Sequence, residues 1–186
     1  MRIYLAGPEV FLPDAEALAT AKKAICARHG AEGVFPLDPV DCPRADAAGE
    51  RYLEIYLRNE AHIRGCDALI ANLTPFRGPS ADAGTIYELG FMRALGRPVA
   101  GYANADGVFR DRTLAFLDGR ARRRADGSWE DEEGLHLEDF GLHDNLMIDG
   151  GIRAAEGPLV IRAIPPEARW HDLSGFEAAL QALVGR

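Results

Sequence analysis

This chain is poor in the features that bind nucleic acid, span membranes or build disulfide scaffolds. Lys and Arg together number 21 against 29 Asp and Glu, a formal net charge of −8. A surface that tracks phosphates needs clustered Lys and Arg. The one basic run, Arg120 to Arg124, is followed by an acidic run, Asp131 to Glu133, so residues 118–138 read as a solvated surface insertion. Only Cys26, Cys42 and Cys66 occur, an odd count with no CxxC pair. That offers neither a disulfide nor a zinc framework and suits a reducing compartment. With no long apolar run and no signal-peptide pattern, the expectation is a cytoplasmic protein. Neither GxGxxG nor GxxxxGK[ST] appears, which argues against a glycine-rich phosphate cradle.

What remains is an ordinary globular composition, 47% hydrophobic and 27% charged over 186 residues, expected as a single domain, 1–186. Arg2 to Ala6 reads as a strand ended by Gly7-Pro8. Asp14 is placed to cap a helix running to about His29, closed by Gly30. Gly33 to Pro36 is a short strand. Leu37 to Gly49, with Pro39, Pro43 and several aspartates, is a loop. Glu50 to Arg64 is helical, with Tyr52, Ile55, Tyr56 and Ile63 at helical spacing. Asn59 falls on that stripe, either as a satisfied buried amide or as a functional group. Asp67 to Leu73 is nearly unbroken apolar sequence, the signature of a central parallel strand. A helix from Thr85 to Leu95 and a strand from Val99 to Tyr102 follow. Asp144 to Ala154, Leu159 to Ile164 and Leu173 to Val184 read as helix, strand and helix. This alternation predicts a doubly wound α/β sheet of about five mostly parallel strands with helices on both faces.

The chemistry concentrates between Leu73 and Gly90. A strand ends at Thr74-Pro75, a loop with Gly78, Pro79 and Gly84 follows, and a helix begins, with Asp82 and Glu88 six residues apart. Ligands in open α/β sheets bind at such strand-to-helix junctions. Thr85 and Glu88 fit a capping box, which alone would explain the glutamate. The other reading is catalytic: a carboxylate in the first helical turn is kept ionised by the helix dipole, and a second carboxylate handles the proton. Such a pair can break a glycosidic bond through a covalent intermediate. Gly84 admits a ligand close to the backbone. Tyr4, on the first strand, is either an ordinary strand residue or a hydroxyl that orients a carboxylate. Phe11 and Phe76 either stack on a flat base or plug the core. Val40 and Asp41 are further base-pocket candidates.

Four blocks resemble the nucleoside 2-deoxyribosyltransferases: Tyr4-Leu5-Ala6-Gly7-Pro8, Phe35-Pro36-Leu37-Asp38, Asn72 through Gly90, and Glu138 through Met147. The resemblance implies a flavodoxin-like fold. It also implies cleavage of the N-glycosidic bond of a 2′-deoxynucleoside, with transfer of deoxyribose to another purine or pyrimidine base and no cofactor or metal. It makes Glu88 the nucleophile, Asp82 the acidic partner and Tyr4 the orienting hydroxyl. Gly7, Phe11, Asn59, Phe76, Arg77 and Gly84 are the substrate-binding residues expected. Asn145, with Met147, implies a group lent by a neighbouring subunit of a homo-oligomer. Asn59 stands where some members carry an aspartate, and it has no acid proton to give. The segment past Gly150 departs from the shorter members. Two other functions are weighed. A 2′-deoxynucleoside 5′-monophosphate N-glycosidase would need a phosphate pocket, for which Ser80 and Thr85 are candidates. A non-catalytic nucleotide-sensing module would bind without turnover.

Overall fold

The computed structural model describes residues 1–42 and 50–185. The 43–49 part of the proline-containing loop expected at 37–49 lies outside them. Five parallel strands, β1 (Arg2–Ala6), β2 (Glu32–Val34), β3 (Ala68–Asn72), β4 (Val99–Ala103) and β7 (Leu159–Ile161), form one sheet in the order β2-β1-β3-β4-β7. The chain passes from β1 outward to β2 through helix α1 (Ala15–Arg28). It returns through α2 (Arg51–Arg64) to β3 on the other side of β1. The strand order therefore reverses between β1 and β3, which opens a crevice at their C-terminal ends.

Strand alternation builds both cores. Ile3, Leu5, Ile70 and Tyr102 face α1 and the last helix, α6 (Ser174–Val184). Tyr4, Ala6, Leu69, Ala71 and Leu73 face the other way, against Ile63 of α2, Leu89 and Met92 of α3 (Ala83–Ala94), and Ile148 and Ile152 of α5 (Leu146–Ala154). One side-chain period thus places Tyr4 under the α2–α3 pair. Residues 118–138 contain an antiparallel hairpin, β5 (Ala121–Arg123) with β6 (Trp129–Asp131). Its basic and acidic residues pair: Glu130 accepts from Arg122 at 2.6 Å and from Arg124 at 2.8 Å. Helix α4 (Phe109–Leu117), absent from the sequence-based outline, precedes it. No helix among the described residues is long and apolar enough to cross a membrane.

Three local expectations are corrected. Asp14 occupies the position before α1 but makes no capping bond; its carboxylate meets His171 at 3.0 Å instead. The stripe Tyr52, Ile55, Tyr56 does not enter the core. All three side chains are exposed, because α2 buries only its last turn, at His62 and Ile63, and its earlier turns lie over the crevice rim. The helix expected to begin at Thr85 begins at Ala83, with Asp82 as its cap.

A buried ion pair anchors the first loop. A short 3₁₀ turn, Pro8–Phe11, carries Glu9 beneath the sheet end, where it accepts from Lys22 of α1, from Asn72 Nδ2 at 2.9 Å and from the Tyr102 hydroxyl at 2.9 Å. Burial alone would raise the Glu9 carboxyl. The Lys22 ammonium, with hydrogen bonds from Lys22 and Asn72, overrules it and holds the group below the usual carboxylate range. Gly7 is required here: a Cβ would sit 1.9 Å from Glu9 Oε2. Lys22 lay on the apolar stripe between Leu18 and Ile25, a placement that marks it in sequence as a lysine needing a buried partner. Lys22→Met should cost about 3–5 kcal/mol by leaving Glu9 charged and short of its cation. Removing the exposed Arg2–Glu32 pair should cost under about 1 kcal/mol. Urea unfolding of the two variants measures both.

Candidate active site

The two carboxylates of the central stretch take different jobs. Asp82 caps α3: its Oδ2 accepts from Thr85 N at 2.9 Å and from the Thr85 hydroxyl at 3.0 Å. A charged acceptor at the helix N-terminus satisfies one of its orphan N–H groups, and Asp serves this role at least as well as Thr. The Thr85–Glu88 capping box therefore does not form. Glu88 sits in the second turn rather than the first, with its carboxylate free of the backbone. It reaches the sheet instead, where Glu88 Oε1 accepts from the Tyr4 hydroxyl at 2.6 Å and from Asn59 Nδ2 at 3.3 Å. Strand β1 supplies the first donor and helix α2 the second.

This environment does not keep Glu88 ionised through the helix dipole, as its expected first-turn position implied. Burial pushes its carboxyl up to about 7, helped by the nearby Asp82 charge, while the Tyr4 and Asn59 hydrogen bonds pull the other way. The Tyr4 phenol, fully buried beside the carboxylate, is pushed far above its ordinary value by burial and by Glu88, and so remains a donor. A carboxylate poised near neutrality in a cleft, with two donors fixed on one oxygen, can act as a nucleophile or exchange a proton at working pH.

A cleft of about 270 Å³ opens above Glu88. Gly7, Phe11, Asn59, Asp82, Gly84 and Glu88 all line it, so six of the sequence-predicted residues converge. Gly84 leaves little room: a Cβ there would stand 3.1 Å from Asp82 Oδ2. Phe76 stacks on Phe11 with ring centroids 5.5 Å apart, and Trp170 meets Phe76 edge-on at 6.2 Å. Phe76 thus supports the rim without lining the cleft. Arg77 does not reach in: it is exposed, in the left-handed conformation at φ 55°, with its guanidinium over the Phe76 and Phe11 rings. Val40 and Asp41 are also outside the lining; Pro36 and Leu37 take that side. Arg58, which sequence reasoning passed over, does line it.

Asn145 and Met147 are not brought to Glu88. Asn145 caps α5 by accepting from Met147 N at 3.0 Å, and its amide donates to Glu138 at 2.6 Å. Both residues border a separate depression beside Ile86, Leu89 and Gly90 of α3, and Met147 is 74% exposed. The two phosphate candidates are already engaged. The Ser80 hydroxyl donates to Asp144 at 2.5 Å, and the Thr85 hydroxyl to Asp82. Among the described residues no group of His, Cys, Asp and Glu is arranged to hold a metal ion.

The sequence profile of nucleoside 2-deoxyribosyltransferases matches residues 3–147. The chain belongs to this family. A 2-deoxyribosyltransferase from Leishmania mexicana has a similar structure, with TM-score 0.62 and 28% identity, covering 100% of this chain and 97% of that one. The β7 and α6 segments beyond the profile are included in that coverage. An uncharacterised protein of Schizosaccharomyces pombe is 32% identical over 99% of this chain and 89% of its own length. A conserved protein from Enterococcus faecalis shares the fold at 19% identity, with TM-score 0.53 and coverage of 100% of this chain and 97% of that one. The deoxyribosyltransferase fold expected from the four sequence blocks is the fold observed.

The raised Glu88 carboxyl has a stability signature. The folded state holds its proton to about pH 7, whereas an unfolded glutamate releases it near 4.5. The stabilisation is complete below the lower value and is lost as pH rises through the upper one. Glu88→Gln lacks this dependence. Relative to the wild type it should gain up to about 3 kcal/mol between pH 4.5 and 8. Denaturant titrations at both ends measure this, and parallel pH profiles for the two proteins would contradict it.

Proposed function

We propose that the chain is a nucleoside 2-deoxyribosyltransferase in which Glu88 takes the sugar. The observation that carries this is the Glu88 carboxylate, held by Tyr4 and Asn59 at the floor of a cleft that Asp82 also lines. In the first half-reaction a Glu88 oxygen attacks C1′ of a 2′-deoxynucleoside. The C1′–N bond breaks with its electron pair passing to the base, which takes up a proton that Asp82 relays from solvent water. In the second half-reaction another base attacks C1′ as its ring N–H proton leaves through Asp82 to solvent, the Glu88 ester bond breaks, and the configuration at C1′ is retained after two inversions. Only one Asp82 oxygen is committed to the helix cap, which leaves the other for this work. Asn59 supplies an amide donor where an acid would supply a proton.

Asn145 and Met147 fit this reading as groups lent to another subunit. They lie beside a different face of α3 from the Glu88 cleft, which accords with a second copy of the chain supplying them. The N-glycosidase alternative is disfavoured because Ser80 and Thr85, its phosphate donors, are occupied by Asp144 and Asp82.

The assay is base exchange: a 2′-deoxynucleoside is incubated with a second free base, and the exchanged nucleoside is sought beside a parallel arm with the 5′-monophosphate and water. Exchange from the unphosphorylated donor is expected. Its kcat/KM should rise with pH through about 7 as Glu88 loses its proton. Tyr4→Phe, which removes a hydrogen bond to the charged form, should move that rise to higher pH. Glu88→Ala should lower exchange by about a thousandfold or more. Near-normal exchange in Glu88→Ala would remove Glu88 from the mechanism, and hydrolysis of the monophosphate alone would replace the transferase reading with the N-glycosidase.

A further inference from the structure

The cleft lining holds two chemically distinct sets of side chains. Asp82, Asn59 and Glu88 form the polar set, and they suit the hydroxyls and C1′ of a sugar. Phe11, Pro36, Leu37 and Ile55 form the apolar set, in keeping with the character a flat base requires. Arg58 is the one basic side chain in the lining. It stands three residues after Ile55 and directly before Asn59 on α2, so it belongs to the helix that contributes to both sets. Its side chain is half-buried, and among the described residues it forms neither an ion pair nor a side-chain hydrogen bond. A guanidinium has five N–H donors in a planar fork and no acceptor. Beside the apolar side chains of this lining, it is the one cationic donor able to read a base edge.

We propose that Arg58 sets base preference by pairing with the two-acceptor edge of a 6-oxopurine, O6 and N7, and so favours hypoxanthine and guanine over adenine. This rests on the deoxyribosyl-transfer reading of the site. A 6-aminopurine presents N7 beside an N–H₂ donor, and that donor would face the guanidinium N–H groups. The fork therefore gains two bonds with one base class and meets a donor clash with the other. Such bidentate pairing is the commonest specific contact of Arg to guanine. The same contact helps the bond-breaking step. When the C1′–N bond breaks, its electron pair spreads over the departing oxopurine as far as N7 and O6. A fixed positive charge there stabilises that build-up without transferring a proton. This offsets the absence of an acid at Asn59.

The test uses base binding as well as turnover, so that it does not depend on the transfer reaction. Calorimetric titration of the full chain with hypoxanthine and with adenine should show hypoxanthine bound roughly 10- to 100-fold more tightly. Arg58→Met should collapse that ratio to about threefold or less, chiefly by weakening hypoxanthine. Arg58→Lys, which keeps the charge but loses the fork, should fall between. It also provides a folded reference if the Met variant is unstable. With 2′-deoxyinosine and 2′-deoxyadenosine as donors, the kcat/KM ratio should shift in the same direction. A wild type with no preference for hypoxanthine, or an Arg58→Met variant that keeps it, overturns the proposal. So does a variant whose base ratio is intact but whose binding of a deoxynucleoside 5′-monophosphate is lost, since the guanidinium would then be a phosphate contact. An Arg58-dependent base ratio in a protein that transfers no sugar would leave Arg58 as the base reader and remove the transferase reading.

Discussion

The 2.6 Å hydrogen bond from the Tyr4 hydroxyl to Glu88 ties the whole arrangement together. It joins β1, an inner strand of the parallel sheet, to a helix that starts more than seventy residues later. It forms only if several independent features agree. Strand β1 must present Tyr4 to the α2–α3 face, which the alternation of Ile3, Tyr4 and Leu5 achieves. Helix α3 must begin early enough for Glu88 to reach its second turn, which the Asp82 cap achieves. The strand order must reverse beside β1, so that a crevice exists where the two meet. The buried Glu9–Lys22 pair serves the same end from below, pinning the loop that carries Gly7 and Phe11 into the cleft.

Placing a carboxylate in this position costs stability. Burial opposes its charge, and two hydrogen bonds on a single oxygen only partly compensate, which leaves the group near neutrality rather than firmly ionised. A glutamate retained for capping would have gained from its setting; Glu88 is instead destabilised by it, and it lines the cleft. Residues that carry such strain mark sites where structure has yielded to chemistry. A protein optimised for stability alone would place a glutamine or an apolar residue there.

Much of this was legible in the sequence because it depends on local patterns. The unbroken apolar run before Asn72 and the glycine–proline loop after Thr74 located the central strand and the crevice; the Tyr4, Asp82 and Glu88 blocks identified the family. The errors came where two local rules competed or where tertiary packing decided. Asp82 and Thr85 are both good N-caps, and only the full loop path selected Asp82, moving Glu88 by one turn. The α2 stripe of Tyr52, Ile55 and Tyr56 has a helical period, yet the helix touches the core only near Ile63, so periodicity predicted a face but not what covers it. Arg77 was expected among the substrate-binding residues because it lies in the recognised loop. Its left-handed backbone turns it onto Phe76 and Phe11 instead, and Arg58, on an unremarkable helical turn, takes the place in the cleft.

The central claim is that Glu88 becomes covalently bonded to the sugar, and its most direct measurement is peptide mass spectrometry. The protein is mixed with a 2′-deoxynucleoside in the absence of an acceptor base, quenched in acid and digested. The account predicts a deoxyribosyl adduct on the peptide that carries Glu88, lost when a second base is added before quenching and absent from Glu88→Gln. Base release without any adduct, or an adduct on Asp82 in place of Glu88, would contradict it.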